Sequence, residues 1–185
     1  WPGLALLLGL GAVAALASDS THWVWQPALV WTEPWRWWTA AFVHLSTMHL
    51  LANVGGLVLV ALLGWRAAVS HADALAWAAA WPLTHLLLLA QPGLARYAGL
   101  SGVLHAGVVI VAVRLARGVP GPRRTIGAAL LAGVALKLLL EEPWQGTLRR
   151  TAEWDFAVAP AAHVAGAFAG ALCALAAALV TWRRG

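Results

Sequence analysis

Residues 156–182 read FAVAPAAHVAGAFAGALCALAAALVTW, 27 residues without one Asp, Glu, Lys or Arg. A helix needs about 20 mostly apolar residues to cross a bilayer, so this stretch is long enough to span. It shows no alternation of apolar and polar residues, which argues for a helix rather than a barrel strand. Working back towards the start, the same pattern recurs at 1–17, 38–64, 72–90, 99–113 and 125–140. The segments at 99–113 and 125–140 are short for free-standing spans and fit helices with one end surrounded by protein. The expected fold is an all-α polytopic membrane protein, one domain of six transmembrane helices over residues 1–185.

The totals agree. Of the 185 residues, 62% are hydrophobic and 10% charged, whereas soluble domains run near 45–50% and about 25%. Six spans would take roughly 120 residues, which leaves no room for an appended soluble catalytic domain. The formal charge of +5 does not point to nucleic acid, because no basic run exceeds two residues. A single cysteine, Cys173, excludes an internal disulfide and a thiolate metal cluster. It reads as a small buried hydrophobe. The chain starts at Trp1, inside an apolar run, which points to a trimmed N-terminus. A competing reading of the first segment is a signal-peptide core, with Ala15-Leu16-Ala17 before Ser18 as its cleavage site.

Loop charge orients the segments. With the N-terminus inside, the inner side holds Arg66, Arg114, Arg117, Arg123, Arg124, Arg183 and Arg184, and the outer side holds Arg36, Arg96, Arg149 and Arg150. The positive-inside rule then places both termini in the cytoplasm. Among the acids only Asp73 falls inside; Asp19, Glu33, Glu141, Glu142, Glu153 and Asp155 fall outside. The first outer loop carries Trp23, Trp25, Trp31, Trp35, Trp37 and Trp38. Tryptophan favours the headgroup region, so this loop is expected to lie in the outer interface as an aromatic belt.

This topology brings polar residues from three segments to one depth near the outer face: His44, His49 and Asn53 from the second, Ser101 from the fourth, His163 from the sixth. Ionisable groups inside a membrane are costly and mark function. Ser101 lies in Gly99-Leu100-Ser101-Gly102 at a helix start, where backbone N–H groups lack helical partners and the dipole is positive. Such a site suits an oxyanion. Serine needs a base to take its proton, and His163 and His105 are both candidates, His105 lying one turn beyond Ser101. His49 and Asn53 share one helix face and are placed to donate to a developing oxyanion. No acid within the segments is evidently placed to orient the base, so a Ser–His dyad is expected rather than a triad. Gly166 and Gly170 form a small-xxx-small face beside His163.

Trp35-Arg36, the trio His44, His49 and Asn53, Gly99-Leu100-Ser101-Gly102, and Ala162-His163-Val164-Ala165-Gly166 together resemble the rhomboid intramembrane serine proteases. The motifs occur in that family's order and the resemblance covers all six segments. It implies Ser101 as nucleophile, His163 as base, and His49 and Asn53 as oxyanion support, with Gly102 beside them. Well-known bacterial members carry a tyrosine four residues after the serine that stacks on the catalytic histidine; here that position is His105. GLSGVLHAG at 99–107 and APAAHVAGAFAG at 159–170 are most similar to the rhombosortases, a bacterial subfamily. That resemblance implies an inner-membrane enzyme that processes surface proteins through a Gly-Gly-type C-terminal anchor, with no cofactor and no metal. Its partners would be a transmembrane substrate and membrane lipids.

Lys137 and Glu141, one turn apart, read as a snorkelling lysine in an i,i+4 ion pair, or alternatively as a pair that gates substrate. His85 reads as a packing residue. Two rival functions use the same residues. His49, His85, His105 and His163 would suit a haem-binding membrane redox protein, and the scaffold alone would suit an inactive rhomboid-like protein that binds membrane helices.

Overall fold

A computed structural model describes residues 1–182, with side chains to residue 180; Arg183 and Arg184, counted above among the inner charges, lie outside the described residues. Within these, six helices of 13–23 residues carry the architecture. They are α1 (Pro2–Ala14), α3 (Thr47–Arg66), α4 (His71–Leu87), α5 (Ser101–Ala116), α6 (Pro122–Leu140) and α7 (Pro160–Trp182), with a one-turn helix α2 (Arg36–Thr39) in the first loop. No strand forms among the described residues, and the extended pairings are two isolated bridges, Trp25 with Tyr97 and Arg149 with Val158. Three stretches, Thr47–Arg66, His71–Ala90 and Pro160–Val180, are long and apolar enough to cross a membrane; Pro2–Ala17 and Ser101–Ala116 are shorter apolar helices.

The shortness of α5 positions the site. Its 16 residues rise about 24 Å, less than the roughly 30 Å hydrocarbon core, so a helix rooted at one face ends inside. Ten of the 16 are buried, which makes α5 the central post. Its neighbours close on it through small residues. A β-carbon at Gly166 would collide with the Gly102 carbonyl, and one at Gly170 would stand 2.5 Å from the Ala106 carbonyl oxygen. The α5–α7 seam therefore requires glycine at both positions. On the other side the Trp77 indole N–H donates to the Val103 carbonyl at 2.8 Å, tying α4 to α5. At the opposite end of α5 from Ser101, Asp73, which closes the capping box of α4 with Ser70, meets Arg114 of α5 at 2.9 Å.

Three segment boundaries differ from expectation. The expected run 38–64 is broken: Val43 and Ser46 are extended, and α3 begins only at Thr47, with the Ser46 hydroxyl accepting from the His49 N–H. Serine at an N-cap satisfies an otherwise orphan donor, so the helix starts there and His44 falls in the preceding loop. The last segment starts at Pro160 rather than Phe156, because proline suits a first helical turn and residues 149 and 158 pair as a bridge ahead of it. The fourth starts at Ser101, not at residue 99, because Gly99 has φ +129°, outside helical space.

The tryptophan loop is also more than a belt. Trp25 and Trp37 are buried with Val30, Ala40, Leu94 and Tyr97 in a small core that also takes in Leu88 and, from the start of α7, Ala162 and Ala165, while Trp31, Trp35 and Trp38 are exposed. At its centre Arg36, only 2% exposed, donates to Glu33 Oε2 at 2.7 Å and to the carbonyls of Val24 and Thr21 at 2.6 and 3.1 Å. The Trp35 indole N–H donates to the His22 carbonyl. Trp35-Arg36 is thus the organiser of this loop, and the Trp25–Tyr97 bridge carries that order to the strand-like approach to Ser101.

Candidate active site

The first turn of α5 and the first turn of α7 bring Ser101 and His163 together, with His163 Nε2 3.0 Å from Ser101 Oγ. His163 is almost wholly buried. His105 is not within this contact: its Nδ1 lies 2.7 Å from the Ser101 backbone carbonyl, to which it donates. Its ring instead lies face to face on His163, centroids 4.3 Å apart and 17° from parallel. Of the two histidines near Ser101, the one in reach of the hydroxyl is His163, and His105 occupies the stacking position.

The opposite edge of the His163 ring departs from expectation. Its Nδ1 lies 2.7 Å from Glu141 Oε2, although no acid was expected to meet the base. The segment count placed Glu141 merely at the outer end of α6, facing Lys137. The ion pair with Lys137 does form, Nζ to Oε1 at 2.5 Å. It uses one carboxylate oxygen, and the loop that follows turns the other onto α7. Burial pushes the Glu141 carboxyl up, but the hydrogen bond and charge of His163, then those of Lys137, outweigh it and hold the pKa at about 2.

On the α3 side, His49 Nδ1 accepts from the Leu45 N–H at 3.2 Å, which leaves the proton of the neutral ring on Nε2. That edge faces Gly99, where a β-carbon would stand 2.8 Å from Nε2. Gly99 is therefore required twice, for its positive φ and for the approach of this ring. Phe156 stacks on His49 at 4.1 Å, and the Ser46 hydroxyl donates to Asp155 at 2.7 Å, so the loop before α7 is pinned to the start of α3. His44 packs edge-on to His49 at 4.9 Å and donates to the Phe42 carbonyl. Burial lowers the His44 pKa, against the pull of that carbonyl. Asn53 lies one turn deeper, buried, with its amide donating to the His49 carbonyl at 2.9 Å. Gly102 presses on the Ala162 carbonyl at the α7 seam.

Two contributors had no clear sequence signal. Tyr97 places its hydroxyl 3.4 Å from Ser101 Oγ; burial raises its pKa, partly offset by Ser101 and Gly102, so it stays protonated. Phe156 reads in the sequence as the first residue of an apolar run. Both sit where loops fold back, which periodicity does not reveal. His85 is a packing residue, fully buried, with Nδ1 donating to the Trp37 carbonyl at 2.6 Å.

A cavity of about 1590 Å³ reaches these residues. It is walled by Asn53, Gly56 and Val60 of α3, Leu104 of α5, and Val134 and Lys137 of α6. α6 leans on α5 through Gly127, its one buried residue, and exposes Leu136, Leu139 and Leu140. Most of the α6 surface is thus left open, and the cavity extends down the side between α3 and α6.

Against known families, the chain matches the model described as the Rhomboid domain over residues 32–179. A search of curated proteins finds no match.

Proposed function

The chain belongs to the rhomboid family of membrane proteins, known for intramembrane serine proteases that act on transmembrane substrates, and we propose that it is an active serine endopeptidase with Ser101 as nucleophile and His163 as base. The observation that carries this reading is the 3.0 Å contact between Ser101 Oγ and His163 Nε2, at the head of a cavity open to the side of the bundle. A transmembrane segment unwound at its outer end enters between α3 and α6. Unwinding is needed because a helical peptide carbonyl is already hydrogen-bonded and shielded, and glycines in the substrate ease it. Ser101 Oγ attacks the carbonyl carbon as His163 Nε2 takes the hydroxyl proton. The oxyanion is met by the first N–H groups of α5 and by His49 Nε2–H, with Asn53 and Tyr97 lining the same pocket. His163 then returns its proton to the leaving amine as the C–N bond breaks. Water, activated by the same histidine, hydrolyses the acyl-enzyme.

In the proposed setting the chain is a single domain of six spans in a bacterial inner membrane. Both termini are cytoplasmic and the active site faces outward. The rhombosortase-like runs around Ser101 and His163 favour surface proteins with Gly-Gly-type C-terminal anchors as substrates. The haem alternative is disfavoured by geometry: His105 and His163 lie ring on ring at 4.3 Å, too close to sandwich a macrocycle. The reading is tested with a membrane-anchored reporter bearing a Gly-Gly juxtamembrane segment, incubated with the purified protein in detergent. Cleavage is expected from the wild type and loss of it in both Ser101→Ala and His163→Ala. Full cleavage by either variant overturns the assignment.

A further inference from the structure

Glu141 is joined to His163 by a contact that an ordinary helix-end ion pair does not require. We propose that Glu141 is the positioning residue of the site, making Ser101–His163–Glu141 a triad; this rests on the serine-protease reading above. The two carboxylate oxygens are divided: Lys137 Nζ takes Oε1 and His163 Nδ1 takes Oε2 at 2.7 Å. An ionised carboxylate only accepts, so Nδ1 must carry the hydrogen. The lone pair of the neutral ring then lies on Nε2, the nitrogen 3.0 Å from Ser101 Oγ. Glu141 thereby selects the one tautomer able to take the serine proton, and its charge stabilises the imidazolium that forms.

The backbone supports this aim. α6 ends at Leu140, and Glu142 follows at φ +47°, a left-handed conformation that a non-glycine residue adopts only against resistance. The turn swings the chain after Glu141 back over the bundle. Arg149 fastens it, donating to the Glu141 carbonyl at 2.8 Å and pairing with Glu142 at 3.2 Å. Arg149 also bridges Val158, two residues before α7. The same short circuit thus links the acid to the helix that carries the base. His105 presses one face of the His163 ring while Glu141 holds its edge, so the imidazole is fixed in both plane and rotation. A plain Lys137–Glu141 ion pair accounts for Oε1 alone.

The test uses the full chain in detergent with a fluorophosphonate, whose reaction needs no knowledge of the substrate. The Ser101 Oγ–P bond forms, the P–F bond breaks with loss of fluoride, and His163 takes the proton. Glu141→Gln is expected to lower the inactivation rate constant on the order of 10⁴-fold, the scale seen when a triad acid loses its charge, with unchanged probe affinity and unchanged melting temperature. Glu141→Asp should recover part of the rate. Histidine ¹⁵N NMR should show the His163 proton on Nδ1 in the wild type and its redistribution towards Nε2 in Glu141→Gln. Wild-type labelling in Glu141→Gln and Glu141→Ala, with Ser101→Ala unreactive, overturns the positioning role and leaves the protease reading standing. Labelling that persists in Ser101→Ala overturns the protease reading itself.

Discussion

At the residue scale the site depends on which nitrogen of each ring holds a proton. The Leu45 N–H fixes His49 as an Nε2–H donor, whose edge faces Gly99. His49→Phe keeps a ring to stack on Phe156 but removes the donor. It is expected to lower turnover of the reporter by roughly 10²-fold or more, the usual cost of one oxyanion donor, with little change in melting temperature. An equal loss of folding and activity would instead mark His49 as a packing residue. Ser101, His163, His49 and Asn53 were legible in the sequence because polar side chains are scarce in apolar helices. Glu141 is legible only as half of its ion pair with Lys137, which does form. Helical spacing shows a partner at i−4, Lys137, whereas the contact to His163 crosses 22 positions and depends on a loop turn that no periodicity reports.

At the element scale the geometry depends on close helix packing and on an ordered first loop. Gly166→Leu forces a side chain into the Gly102 carbonyl. Overpacking of this kind costs about 1–3 kcal/mol, so a lower melting temperature and reduced labelling of Ser101 are expected together. Gly133 of α6 has open space where a β-carbon would lie, and Gly133→Ala should raise the melting temperature, since alanine is favoured over glycine in a helix by roughly 0.5–1 kcal/mol. In the first loop, Arg36→Gln strips charged donors from the buried carbonyl of Val24 and the part-buried one of Thr21. Hydrogen bonds to charged groups contribute about 1.5–3 kcal/mol each, so a marked fall in melting temperature is expected in detergent. An unchanged transition would show that the loop is held by its tryptophans alone. The apolar runs foretold the long helices; caps and breaks decided their ends. Ser46, Gly99 and Pro160 each cut a run that hydropathy alone would have continued.

At the scale of the whole molecule, a short, buried α5 surrounded by longer neighbours sets a helix start, with its unpaired N–H groups, inside the bundle. α7 brings a histidine to that level, the end of α6 brings an acid, and the loops at 18–46 and 141–159 close over them. The half of α6 that leads to Glu141 remains apart from α3 across the cavity, which leaves the site reachable from the side. Each of these arrangements serves one claim, that Ser101 is a nucleophile activated by His163. Its most direct test is peptide mapping by mass spectrometry after fluorophosphonate treatment of the purified protein. A single adduct on Ser101, formed by the wild type and lost in His163→Ala, is the predicted result. An adduct on another residue, or undiminished labelling of Ser101 in His163→Ala, would contradict it.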